Sequence, residues 1–134
     1  MLSVRFVLAV LAGGFVTSMT DWLFMGDWIY KKFDRHPEIW RFERGQGESK
    51  AIAWSAVLPF LTCAAFDFLC VRQRPFTLAS TFTLALGTWI GVALPMIATN
   101  AVWMKITAPI ASFFSMGWLV KLMVAGLSLV LIVR

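Results

Sequence analysis

Asp21, Asp67 and Lys121 are ionisable side chains that lie away from the ends of long apolar stretches of the sequence. A lone ammonium group at the centre of a membrane helix costs about 3 kcal/mol or more, so Lys121 requires a carboxylate partner or a water-filled cavity. Charged groups at this depth mark either a path for an ion, a proton or a small solute, or a structural ion pair. The sequence leaves both interpretations open.

Small residues accompany two of these charges at helical spacing. Gly13, Thr17 and Asp21 recur every four residues and therefore share one face of a helix. A second face carries Lys121 together with Gly117, Ala125 and Ser128. Because small side chains let membrane helices approach closely, we expect both faces to point into a helix bundle.

Depth along the predicted helices decides which carboxylate can reach Lys121. At about 1.5 Å per residue, Lys121, Asp67 and Asp21 lie about 20, 24 and 13 Å from the side of the first loop. A lysine side chain can extend some way along the helix axis, so both acids are within reach. We predict a charge pair of Lys121 with Asp21 or Asp67, and favour Asp21 because Arg72 and Arg74 can compete for Asp67.

No recognised catalytic motif accompanies these charges. The chain has no glycine-rich phosphate loop and no Ser-His-Asp set. His36, the single histidine, has no companion ligands for a metal or a haem. Cys63 and Cys70 lie in one predicted helix, about 10 Å apart along its axis, which is too far for a disulfide. We therefore expect a protein that is not an enzyme and that holds no metal or cofactor.

The composition explains where such charges reside. Of 134 residues, 60% are hydrophobic and 14% are charged, whereas a soluble domain carries roughly 25% charged residues. Four apolar runs, about 4–30, 51–71, 76–100 and 108–133, are each long enough to cross a bilayer. The first run is too long for the apolar core of a signal peptide, so we expect it to be retained as a span. The sequence predicts an all-α polytopic membrane protein, a single bundle of four transmembrane helices over residues 1–134.

The connections between the runs predict the topology. The first connection is hydrophilic, and its stretch from Pro37 to Gly45 favours a short amphipathic segment on the membrane surface. The other two connections are short, so the helices that they join must run antiparallel, and four spans place both termini on one side. Seven Lys and Arg residues lie on the first-loop side and four on the other, which favours a cytoplasmic first loop. This placement accounts for the net charge of +5 without a nucleic-acid partner.

Glycines mark the expected helix contacts. Gly87 and Gly91 form a Gly-x-x-x-Gly unit in the third run, a spacing that lets helix backbones approach closely. We predict that both sit against another helix, and favour packing inside the protomer over a dimer seam. Gly13 and Gly117 are expected to serve helix packing in the same way.

Three segments resemble a bacterial family of small four-helix membrane proteins that is known only as a domain of unknown function. They are Thr20-Asp-Trp-Leu-Phe-Met-Gly26, His-Pro-Glu-Ile-Trp-Arg at 36–41, and Gly-Thr-Trp-Ile-Gly-Val-Ala-Leu-Pro at 87–95. The likeness covers most of the chain, although the Trp-Tyr pair of that family's first span is represented here by the separated Trp28 and Tyr30. The resemblance implies a four-helix fold and a bacterial inner membrane, and it transfers no catalytic or binding residue.

The sequence supports two hypotheses for the function of the protein. The first is a non-enzymatic membrane protein that works through helix packing, as a homo-oligomer or as an accessory subunit of a larger membrane complex. The alternative is a small oligomeric transporter or channel, in which two or more copies surround a path lined by Asp21, Asp67 and Lys121. The expected partners are the lipid bilayer and other membrane chains, either copies of this one or different subunits.

Overall fold

The structure, a computed structural model, describes residues 4–24, 48–73 and 76–133. Within them the chain forms four long helices and no strand. These are α1 (Val4–Asp21), α2 (Glu48–Arg72), α3 (Leu78–Trp103) and α4 (Ala108–Val133). Each is long and apolar enough to cross a membrane, and a π turn extends α1 to Phe24. The predicted all-α architecture of four helices is confirmed.

The helix bounds lie close to the predicted spans. α4 begins and ends at the predicted residues 108 and 133. α2 extends beyond the predicted 51–71 at both ends, and α3 is displaced by two or three residues from 76–100. The predicted end of the first span at residue 30 lies outside the described residues, as does the amphipathic segment of the first loop.

The two helices that contain an internal proline respond differently to it. α2 continues without a break through Pro59, which is buried in the bundle. α3 instead widens into a π turn at Trp89–Ala93, where the amide of Leu94 donates to the carbonyl of Trp89. Pro95 follows at once and has no amide to donate to the carbonyl four residues earlier, so one bond of a regular α turn is missing there.

α1 and α4 form the largest helix contact, and they run antiparallel. A Cβ built at Gly13 would lie 2.5 Å from Ser128 Oγ and 3.6 Å from Ala125 Cα. A Cβ at Gly117 would lie 3.8 Å from the Cβ of Phe24. As α1 advances from residue 13 to 24, its contacts on α4 therefore move back from residue 128 to 117. The two predicted small-residue faces meet, so the packing roles of Gly13 and Gly117 are confirmed.

α2 and α3 complete the bundle through two further glycines. Gly14 of α1 faces the ring of Phe60 on α2, and Gly126 of α4 faces the side chain of Thr81 on α3. Between these contacts lies the main apolar core. Its fully buried members are Ala9, Cys63, Cys70, Ala85, Ala125 and Leu129. The core is built largely from small side chains, which permits the short distances between helices.

The prediction that Gly87 and Gly91 pack inside the protomer is wrong for the part of the chain that is described. A Cβ built at either glycine has no atom within 4 Å, and both residues are exposed. α3 turns another face, with Thr81 and Ala85, toward the other helices. Gly87 lies six residues after Thr81, which is about 240° around a helix of 3.6 residues per turn, so the two glycines point outward.

Alanine substitutions at an inward and an outward glycine should separate these environments. Gly126→Ala is expected to destabilise the protein by about 1–3 kcal/mol, because the new methyl group would collide with the Thr81 side chain. Gly87→Ala is expected to be neutral or to stabilise by up to about 1 kcal/mol, because it meets open space and favours the helix. Thermal unfolding of both variants in one detergent measures the difference, and equal losses of stability would contradict the described packing.

Candidate functional site inside the helix bundle

Lys121 and Asp21 form an ion pair across the contact between α1 and α4. The Nζ atom of Lys121 lies 2.5 Å from Oδ2 of Asp21, and the two side chains are 9% and 20% exposed. Lys121 stands halfway along the 26 residues of α4, and Asp21 ends the α-helical part of α1. The predicted pairing of Lys121 is confirmed, with Asp21 as its partner.

An aromatic ring provides the second contact of the lysine. The ammonium group of Lys121 lies 4.4 Å from the centre of the Trp118 ring, which precedes it by one turn of α4. A cation over the face of an indole ring is attracted by its electron density, more strongly where water is excluded. The spacing of three residues was visible in the sequence, but sequence reasoning treated the tryptophans as membrane-interface residues and missed this contact.

Local packing explains why the pair forms here. The antiparallel register of α1 against α4, set by Gly13 and Gly117, brings residues near 21 level with residues near 121. The ammonium group and the carboxylate compensate each other's charge, which offsets part of the cost of removing both from water. The site is therefore a consequence of helix packing, and a change at either glycine would alter its geometry.

Asp67 does not join this pair, although it was predicted as the other possible partner. Its side chain is fully buried at 0% exposure, and neither carboxylate oxygen has a hydrogen-bond partner among the described residues. Arg72, which was expected to compete for it, is exposed and lies over the Phe68 ring at 4.9 Å. Arg74 lies outside the described residues. The acid is thus enclosed by the bundle without a described cation.

Two thiols flank Asp67 on the inner face of α2. Cys63 and Cys70 precede and follow it by about one helical turn, and both are free and fully buried. The Sγ atom of Cys63 lies 3.5 Å from Oγ1 of Thr17 on α1. Cys70 interacts with the side chain of Thr81 on α3. Sequence reasoning considered these cysteines only as disulfide partners, although their spacing with Asp67 already places all three on one helix face.

The π turn of α3 attaches to α4 through one hydrogen bond. Nε1 of Trp89 donates to the carbonyl of Ser115 at 2.8 Å, and this fixes the widened turn against the neighbouring helix. The Ser115 hydroxyl is buried and has no partner among the described residues. This contact joins α3 to α4 at the π turn.

An apolar groove of about 240 Å³ lies between α2 and α3, with α4 as its floor. Its walls include Thr62, Phe66, Leu69, Val92, Met96 and Trp118. Because these side chains are almost all apolar, the groove suits lipid rather than water. It therefore offers no aqueous route to Lys121 within a single protomer.

The described residues contain no cluster of three or more His, Cys, Asp or Glu side chains that could hold a metal ion. No family model, no curated protein and no solved structure matches the chain. The resemblance of its three segments to a small four-helix family therefore stays a prediction. The features of the chain that bear on its function are its interior charges and its outer faces.

Removing one member of the ion pair should cost more than removing both. Lys121→Met is expected to destabilise the protein by about 2–4 kcal/mol, because it leaves the Asp21 carboxylate partly buried without its cation. Adding Asp21→Asn should recover part of that loss, since the second charge no longer needs compensation. Thermal unfolding of the single and double variants measures the coupling.

Lys50→Met, at an exposed lysine, is the matched control and should have little effect. If the losses of stability in Lys121→Met and in Asp21→Asn simply added in the double variant, the side chains of Lys121 and Asp21 would not be coupled.

Proposed function

We propose that this protein is a non-enzymatic, multi-pass protein of the bacterial inner membrane that works as a homo-oligomer. In this proposal the first loop faces the cytoplasm and copies meet through the outward face of α3. An accessory role in a larger complex of different membrane chains belongs to the same class of function. The two differ in the identity of the chain that covers this face.

The exposed face of α3 at Gly87 and Gly91 is the main support for the proposal. Thr83, Gly87, Gly91 and Pro95 recur every four residues, and all four are exposed. A glycine gains nothing from contact with lipid, whereas a stripe without large side chains allows a second helix to approach its backbone closely. The other glycine contacts described above are filled within the protomer. A second copy offers the same shape, as a two-fold symmetric contact requires.

Filling the stripe should separate the copies without unfolding them. Gly87→Leu combined with Gly91→Leu is expected to convert the oligomer to monomers, because the new side chains would hold two helices apart. The mass of the protein–detergent complex by light scattering and cross-linking in native membranes measure the change. Thermal stability should be preserved, since neither side chain meets an atom of its own protomer.

Ala53→Leu combined with Ala56→Leu is the matched control, because it places two leucines on an exposed face of α2. This control should keep the oligomer intact. A monomeric natural protein would overturn the proposal, as would an oligomer of identical size in both double variants. Loss of a different co-purifying chain from the Gly87 variant would replace the homo-oligomer with the accessory role.

The interior charges favour a second candidate, a small oligomeric transporter or channel. Lys121 pairs with Asp21 halfway along α4, and Asp67 is enclosed nearby without a described partner. Ionisable groups at such positions commonly mark ion or proton pathways. The groove between α2 and α3 is apolar, so this candidate places the conducting path between copies of the chain.

Proton flux into liposomes tests this candidate. A potassium diffusion potential is imposed across liposomes that contain the purified protein and an internal pH-sensitive dye. If the pair serves transport, the double variant Lys121→Met and Asp21→Asn should fold and lose at least about tenfold in rate, while Lys50→Met retains the natural rate. No flux above that of empty liposomes, or equal flux in the double variant, would reject proton transport along these residues.

A further inference from the structure

We propose that Asp67 is a proton-binding site, and that its carboxyl group carries a proton in the folded bundle. The step is the protonation of one carboxylate oxygen by water at the membrane surface, which forms an O–H bond and leaves hydroxide in the solvent. The proposal stands on the burial of Asp67 and needs no oligomer. It also names the ligand that the transport candidate would carry.

Asp67 lies in the interior of the helix bundle. The carboxyl group has 0% exposure and no hydrogen-bond or ion-pair partner among the described residues. Polar groups approach this part of α2 from all four helices. They are Cys63 and Cys70 of α2 itself, Thr17 and Asp21 of α1, Thr81 of α3 and Lys121 of α4.

The one cation among these neighbours is already engaged. Lys121 contacts Asp21 through its ammonium group and lies over the ring of Trp118. Arg72, one turn beyond Asp67 on the same helix, is exposed and rests on Phe68. Asp67 therefore has no described positive charge to balance an ionised carboxylate.

The neighbouring hydroxyl groups cannot replace that charge, because their protons are used elsewhere. Thr17 Oγ1 donates to the carbonyl of Gly13 at 2.8 Å, and Thr81 Oγ1 donates to the carbonyl of Thr77 at 2.8 Å. What these hydroxyls still offer is lone pairs. The described surroundings thus supply no hydrogen-bond donor to the carboxyl group of Asp67, whereas an ionised carboxylate can only accept hydrogen bonds.

Burial strengthens the preference for the neutral acid over the ionised carboxylate. An ionised carboxylate without partners loses its hydration and gains nothing in return, whereas the neutral acid loses far less. A metal cation is a poorer fit than a proton, since the described residues provide no cluster of three ligands. A proton needs only the carboxyl group itself.

The location of Asp67 also indicates the side from which the proton would come. It lies five residues before the end of α2 at Arg72, about 8 Å along the helix axis from the second-loop end. Cys70 and Thr81 lie between it and that end, because Thr81 stands three residues after the start of α3. The second-loop surface is therefore the nearer source of water.

Infrared spectroscopy of the protein in liposomes tests the proposal directly. At neutral pH the natural protein should show the carbonyl band of a protonated carboxylic acid, and the band should shift in heavy water. Asp67→Asn should abolish this band and Asp67→Glu should shift it. The double variant Lys121→Met and Asp21→Asn is the matched control, because it removes the other charge pair of the interior, acid and cation together, and should leave the band in place.

The absence of the band from the natural protein would overturn the proposal, as would its loss in the double variant Lys121→Met and Asp21→Asn and not in Asp67→Asn. If Asp67→Asn fails to fold, the shift in Asp67→Glu decides the assignment, and an unshifted band there would reject it. The spectra are recorded without a gradient, so they do not depend on flux. A protein with the band and no flux would reject transport alone, and a protein with flux and no band would reject the Asp67 site alone.

Discussion

The close antiparallel contact of α1 with α4 is the constraint on which the rest of the structure depends. Gly13 and Gly117 allow these helices to approach, and that approach brings Asp21 to Lys121. In lipid there is no hydrophobic force to press helices together, so short van der Waals contacts and the pairing of polar groups must do so. Both occur along this one seam. α2 and α3 then attach to its two sides through Phe60 and Thr81.

The interior and the outer surface of the bundle use glycine for different purposes. Inside, each described glycine faces a particular atom of another helix, and the absence of a side chain on the glycine leaves space for that atom. Outside, on α3, the same residue type faces nothing within the protomer. This contrast separates what holds one chain together from what is left for another chain to use. The three interior charges, on α1, α2 and α4, and the proposed contact surface on α3 thus lie on different helices, so each can be altered without the other.

Much of the architecture could be predicted from the sequence, because four long apolar runs in a chain with few charges leave few alternatives. The Lys121–Asp21 pair could also be predicted, since depth and small-residue faces narrowed the choice of partner. The outward orientation of Gly87 and Gly91 could not be predicted from the sequence. The spacing of two glycines indicates that they share a face but not whether the protomer or another chain covers it, and α4 was already in contact with α3 through Gly126.

The isolation of Asp67 was equally hidden from the sequence. Arg72 lies five residues after Asp67 on α2, and its side chain packs on the Phe68 ring. The contacts of Cys63 with Thr17 and of Cys70 with Thr81 depend on the helices that pack against α2. Such features arise from side-chain directions and neighbours across the bundle, which the periodicity of a single helix does not contain.

The π turn of α3 has a consequence for how this chain would be compared with its evolutionary relatives. A π turn accommodates one residue more than the α turn that it replaces. The segment after Ala93 is therefore out of phase, by about 100°, with the segment before Trp89 if both are drawn on a single helical wheel. A homologue with a regular α-helix in this place would align with a one-residue gap between 89 and 93. An alignment that forbids gaps inside helices would assign lipid-facing residues of Leu94–Trp103 to the interior.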